Sequence, residues 1–211
     1  MLSVVTIKWG DKYPAGYVNK LYRAVERNMT VKHRFVCLTE KTDGIHKDIF
    51  TMPLFGNLRG WWNKMLLFRG VPGIHGRIAW FDLDTIITDN IDFLAEYQGS
   101  FAMIRDFYRP QFGASGLMLL RNGVNHWIWN RYEDQRKHFE SCYHGDQEAI
   151  NVIMHHEGKR PDFIQDLFPN KIVSYKVDCQ NKIPARTAII CFHGRPRPHE
   201  ADHAWIRDYW R

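Results

Sequence analysis

Arg77-Ile78-Ala79-Trp80-Phe81-Asp82-Leu83-Asp84 is the stretch on which the fold of this chain turns. The apolar run from Ile78 to Phe81 is short for a helix and suits a strand buried on both faces. It passes directly into two carboxylates separated by one residue. In open α/β sheets, ligands bind beyond the carboxyl ends of the strands, where strand order reverses. Two carboxylates held close in a partly dry cleft repel each other, and a divalent cation relieves that repulsion while accepting hard oxygen ligands. An Asp-x-Asp pair alone also fits a turn whose aspartates cap the next element, so the flanking chain has to decide.

Working outward, apolar segments and helical periodicities alternate. Residues 2–8 read as a strand, and Gly10 to Pro14 break the pattern. Val18, Leu21, Tyr22 and Val25 give residues 15–28 a helical spacing. Residues 34–39 and 48–52 read as strands around a polar loop at 40–47. A helix over 61–69 is closed by Gly70 and the Pro72-Gly73 turn. Beyond the acidic pair, 100–105 and 116–120 read as strands, 124–138 and 146–156 as helices, and 189–193 as a late strand. This order predicts an α/β fold with a mostly parallel central sheet flanked by helices. With no linker or repeat, one domain is expected over 1–211.

Lys and Arg exceed Asp and Glu by 29 to 23, a formal charge of +6, which suits an anionic partner such as a nucleotide diphosphate. The basic residues are dispersed, apart from local clusters at 131–137 and 195–197, and this argues against nucleic acid. No stretch approaches the roughly 20 apolar residues that span a bilayer. The apolar start of the chain is too brief for a signal peptide. Cys37, Cys142, Cys179 and Cys191 form no C-x-x-C pair, so neither a disulfide framework nor structural zinc is expected, and a cytoplasmic location fits. Trp205, Tyr209 and Trp210, with nearby arginines, suit peripheral contact with the inner face of a membrane.

Five elements then recur in a fixed order. Trp61-Trp62-Asn63-Lys64-Met65-Leu66 precedes the acidic pair. Ala114-Ser115-Gly116 opens an apolar strand after it. His144-Gly145-Asp146-Gln147-Glu148-Ala149-Ile150-Asn151 follows, and Cys191-Phe192-His193-Gly194-Arg195-Pro196-Arg197-Pro198 lies near the end. Together with Asp82-Leu83-Asp84 they resemble the GT-A glycosyltransferases, particularly the glycogenin-like and lipopolysaccharide-galactosyltransferase-like enzymes of family eight.

The resemblance implies a single Rossmann-like GT-A domain with a manganese or magnesium ion held by Asp82, Asp84 and His193. Imidazole nitrogen and carboxylate oxygen are compatible ligands for such ions; Asp84 also fits a turn cap, and His193 a strand-end histidine bonded to backbone. The donor, a UDP-sugar, is implied to meet Thr6, Trp9, Gly10 and Tyr13 at the base and ribose, although Tyr13 before Pro14 equally fits a turn residue that packs locally. Asp82, Leu83, Gly194 and Arg197 are implied to lie along the rest of the nucleotide, and Lys64 to pair with the donor phosphate or with an aspartate near the metal, although it also fits a solvated helix lysine. Arg195 competes with Arg197 for the phosphate-binding role. Asp146 and Gln147 match the catalytic element beside the anomeric carbon, although Asp146 also fits a helix N-cap. Arg105 and Asp106 are further candidates for sugar contacts. Trp61 and Trp62 fit either core packing or sugar stacking. Two departures stand out: Ala114 replaces the family's Asn, and His199 its Trp. The implied reaction is metal-dependent transfer of a sugar to an acceptor hydroxyl with retention of configuration. The acceptor stays open among glycan, lipid-linked and protein molecules. A non-catalytic nucleotide-sugar or glycan-binding module is the alternative.

Overall fold

A computed structural model describes all of residues 1–211. The chain begins with β1 (Leu2–Lys8), α1 (Ala15–Asn28), β2 (His33–Thr39) and β3 (Phe50–Met52). A 3-10 segment (Gly60–Met65) runs into α2 (Leu66–Arg69), followed by β4 (Arg77–Phe81), β5 (Thr85–Ile87), β6 (Phe101–Arg105) and β7 (Gly113–Arg121). Then come α3 (His126–Asp134), α4 (Arg136–Cys142), α5 (Asp146–His156), β8 (Asp162–Phe163) and α6 (Ile164–Leu167). The chain closes with β9 (Ile172–Ser174), α7 (Tyr175–Asp178), β10 (Ile189–Cys191) and α8 (Trp205–Tyr209).

Seven strands form the main sheet in the order β3-β2-β1-β4-β7-β6-β8. Only β7 runs against the others, so the expected α/β class with a mostly parallel sheet holds. The chain winds outward from β1 through β2 to β3, then crosses back to place β4 on the other side of β1. That reversal opens a crevice at the carboxyl ends of β1 and β4. Strand alternation feeds two cores. Val4, Ala79 and Phe81 face the layer containing α1, while Val5, Ile78 and Trp80 face the layer containing α2, α3 and α5. Helix α1 buries Tyr17, Val18, Leu21, Ala24 and Val25 along one stripe, close to the spacing its sequence shows.

A second sheet, β5-β10-β9, was not expected. Its strands have three residues each, too few to display a period. It settles where the acidic pair lies. The Asp82 amide donates to Gly116 O at 2.9 Å, and the Thr85 amide returns to Asp82 O at 3.2 Å. Asp82-Leu83-Asp84 is therefore the corner at which the chain leaves the large sheet for the small one. Antiparallel register then sets Cys191 against Thr85, which brings the segment leading into His193 beside Asp84.

Two other expectations change in detail. The helix expected over 124–138 is divided at Gln135, whose φ of −122° and ψ of 24° leave the helical region. The helix expected over 61–69 is wound as 3-10 through Met65, which aligns side chains three apart. Trp61 and Lys64 therefore share a face.

Candidate functional site

The crevice beyond β1 and β4 is a cleft of about 560 Å³. Its floor is a charged cluster drawn from four elements. Lys64 Nζ lies 2.9 Å from Asp82 Oδ1 and 2.9 Å from Oδ2, 3.2 Å from Ser115 Oγ and 3.8 Å from Asp146 Oδ2. The 3-10 winding supplies the lysine, the β4–β5 corner the aspartate, β7 the serine and the first residue of α5 the second aspartate. Burial by itself would lower the Lys64 pKa; the carboxylates of Asp146 and Asp82 outweigh it and raise it. Burial raises Asp146, against the opposing pull of Lys64 and Ser115. Asp146 Oδ2 is buried and has no hydrogen-bond partner. An acceptor left in that state costs about 1–3 kcal/mol or more, which a ligand hydroxyl aimed at it would recover.

Asp84 sits beside this cluster, buried, with Oδ2 receiving the Tyr13 hydroxyl at 2.7 Å. Burial and the neighbouring Asp82 charge push its pKa up to about 6, although the Tyr13 bond and Lys64 pull the other way. Two hard oxygen donors that disfavour each other's charge meet the electrostatic requirement for a divalent cation. The carboxylates fit such an ion. The imidazole is not yet part of that set. His193 Nε2 bonds to Ser174 Oγ at 2.7 Å, and its ring stacks on Phe107 with 5.7 Å between centroids. Burial and Lys176 lower its pKa, while Asp106 opposes them. No three His, Cys, Asp or Glu side chains gather around a common metal-binding point. His193 lines the same cleft as the pair, but its nitrogen is turned toward β9.

Asp146 and Gln147 both line the cleft. Gln147 Nε2 donates to Asp106 Oδ2 at 2.8 Å. Because a carboxylate only accepts, this bond sets which end of the amide faces Asp106. Asp106 is itself held by the Tyr108 and Arg109 amides, each 2.9 Å from Oδ1. Trp9, Tyr13, Leu83 and Gly194 also line the cleft. Gly194 has a φ of 75°, and a Cβ there would stand 3.4 Å from Lys176 Nζ. Glycine suits both the left-handed backbone and the close approach.

Several expectations need correction. Thr6 is fully buried and its hydroxyl donates to Phe81 O at 2.9 Å, so it ties β1 to β4 and does not face a ligand. Gly10 forms the turn beside the cleft at a φ of 62°, with its amide bonded to the Glu40 carboxylate. Tyr13 lines the cleft, but its hydroxyl is bonded to Asp84 and its ring packs at a tilt on Tyr17, with centroids 4.7 Å apart, while Arg197 lies 5.2 Å from its centre. Arg105 turns away, paired with Asp166 and set over Phe163 at 4.0 Å. Between the two competing arginines, Arg197 stands at Tyr13, whereas Arg195 is 76% exposed and pairs with Glu200. Trp205, Tyr209 and Trp210 are partly buried and pack against the small sheet's core. No helix is long and apolar enough to cross a membrane.

Sequence reasoning missed Lys12 and His144, which line the cleft, and Lys176 beside Gly194. Lys176 follows β9, whose Ile172-Val173 pair ending at a Ser174 cap was its one visible signal; the Ser174 hydroxyl accepts the Val177 amide at 3.1 Å.

No family model matches the sequence, and no curated protein matches it. Solved structures do match. The glycosyltransferase GlyE of Streptococcus pneumoniae TIGR4 superposes with a TM-score of 0.69 at 13% identity, covering 94% of this chain and 56% of GlyE. This is the GT-A fold. The galactosyltransferase LgtC, solved with donor and acceptor sugar analogues, shares the GT-A fold at a TM-score of 0.60 and 12% identity, over 93% of this chain and 88% of LgtC. The bifunctional glycosyltransferase WbbM matches at 0.65 and 12%, over 98% of this chain and 48% of WbbM. The chain thus spans little more than half of GlyE and under half of WbbM. At these identities the likeness is one of fold.

Proposed function

We propose that this protein is a glycosyltransferase that moves a sugar from a nucleotide-sugar, a UDP-sugar, to an acceptor hydroxyl in a metal-dependent, configuration-retaining reaction. The observation that carries the proposal is the partly buried Lys64–Asp82–Asp146 cluster, whose buried, unpartnered Asp146 oxygen lies on the floor of a cleft at the strand-order reversal.

The base would stack on Trp9, which is 41% exposed and lines the cleft. The diphosphate would pass Gly194, Lys176 and Arg197. Asp82 and Asp84 would hold the divalent cation, with His193 joining them after leaving Ser174. The bound ion supplies positive charge that stabilises the departing diphosphate. Asp146 would accept a hydrogen bond from a donor-sugar hydroxyl, orienting the ring before reaction. With its NH2 committed to Asp106, Gln147 can turn its amide oxygen toward the anomeric carbon. A partial negative charge there favours the positive charge that develops as the glycosidic bond breaks. Lys64 holds Asp82 and Asp146 in place and opposes the rise that burial imposes on the Asp146 pKa.

The test is thermal-shift screening with UDP-, GDP- and dTDP-sugars, each with and without manganese, followed by assay of nucleotide release. The expected outcome is a manganese-dependent shift with UDP-sugars that Asp84→Asn abolishes, together with UDP release. Binding without release for every donor would instead identify a non-catalytic module. No shift with any nucleotide would refute the proposal.

A further inference from the structure

Nine large hydrophobic side chains are exposed on the whole molecule, and three of them, Trp9, Trp61 and Tyr108, line this one cleft. Trp9 was assigned above to the donor base. Trp61 has no such role, yet its placement is tightly determined. The 3-10 winding sets it in line with Lys64, one turn from the charged floor. His144 stacks on the indole with centroids 5.6 Å apart and planes 27° from parallel. Gly145 backs its pyrrole edge so closely that a Cβ there would lie 2.8 Å from Trp61 Nε1. The residue nevertheless stays 46% exposed. Its neighbour Trp62 shows the contrasting case, buried and stacked on Tyr132 at 5.6 Å. The Trp-Trp pair therefore divides its labour: one ring fills the core and the other is held rigidly at the cleft.

We propose that Trp61 is the platform of an acceptor subsite and that the acceptor is a glycan, bound by one pyranose ring laid against the indole. The assignment rests on the glycosyltransferase reading of the cleft. A pyranose carries an apolar C–H face ringed by hydroxyls, so it suits an aromatic surface bordered by polar groups. That is what surrounds Trp61. The Lys12 ammonium stands 6.0 Å from the ring centre. His144 and Gln147 line the cleft beside it, and Glu148 accepts the His144 amide at 2.8 Å. A lipid chain would need a continuous apolar groove, which these charges interrupt. An indole held from below and from one edge loses little freedom on binding. It also lies one helical turn from Lys64, close enough to deliver a hydroxyl to the sugar that Asp146 orients.

The experiment uses the whole chain with UDP and manganese on an array of immobilised neutral di- to tetrasaccharides, comparing the parent, Trp61→Ala and Trp61→Phe. UDP binding is measured separately by calorimetry. Support consists of parent retention on a subset of glycans, about tenfold weaker retention for Trp61→Ala, partial recovery for Trp61→Phe, and unchanged UDP affinity in all three. Equal retention of Trp61→Ala and parent overturns the subsite, as does a parent that retains no glycan or that transfers only to lipid or polypeptide. Glycan retention lost in Trp61→Ala without UDP binding in any protein would uphold the subsite and overturn the transferase reading.

Discussion

Replacing Lys64 with Met removes the only cation inside the acidic floor while keeping an unbranched chain of similar volume. The ammonium stands 2.9 Å from both Asp82 oxygens and 3.8 Å from Asp146. With an effective dielectric constant of about 20, those separations correspond to gross attractions of about 6 and about 4 kcal/mol. Much of this offsets the cost of taking three charges out of water. Removing one partner of a buried pair leaves the others uncompensated and costs about 3–5 kcal/mol. Asp82 is 28% exposed, so solvent screens part of its charge and the lower end, about 3 kcal/mol, applies. For a chain of this length that lowers Tm by about 6–12 °C. The loss depends on pH. Asp146 has its folded pKa raised above the ordinary 3.8, so the folded state binds its proton first, and this group's contribution to stability falls as pH rises from 3.8 through the folded value. Without Lys64 that folded value climbs further and the penalty at neutral pH grows. Urea unfolding followed by tryptophan fluorescence at pH 8 and pH 5 checks the sign. The parent–variant gap should be larger at pH 8 than at pH 5, because protonation of Asp146 relieves its uncompensated charge. A gap that is absent at pH 8, or identical at both values, would refute the account of the floor.

Asp84→Asn removes a buried charge that repels Asp82, so it should keep or slightly raise Tm while abolishing the manganese-dependent shift with UDP; a loss of Tm above about 2 kcal/mol equivalent would show that the carboxylate is structural. Thr6→Val should cost about 1 kcal/mol in urea unfolding and leave UDP affinity unchanged, whereas a selective loss of affinity would restore Thr6 to the donor site. Gly145→Ala forces the Trp61 ring to move and should weaken glycan retention with a stability loss of about 1–3 kcal/mol; unaltered retention would show that the indole position is not critical. Asp106→Asn frees the Gln147 amide to rotate, so turnover should fall with little change in donor binding, measured as a kcat loss at constant KM.

Local pattern carried the order of the major elements. The apolar run ending at Phe81, the stripe on α1 and the start of α5 at Asp146 were all legible, because burial on one face imposes periods of 2 and 3.6 that any long element must display. The acidic pair, Lys64, Gln147 and His193 could likewise be placed just beyond strands or at helix starts, and the cleft does collect them. What the sequence could not show depended on contacts distant along the chain. Three-residue strands carry no period, so β5-β10-β9 emerges only when Thr85 meets Cys191, 106 positions on. Side-chain direction is decided in the same way. Thr6 spends its hydroxyl on Phe81, Arg105 finds Asp166, and His193 turns to Ser174, because each polar group takes the partner that packing brings within reach. Residue types and their order thus determined the fold and the chemistry available to the cleft. Which atoms face that cleft was decided by tertiary packing, since burial leaves no side chain free to choose its neighbours alone.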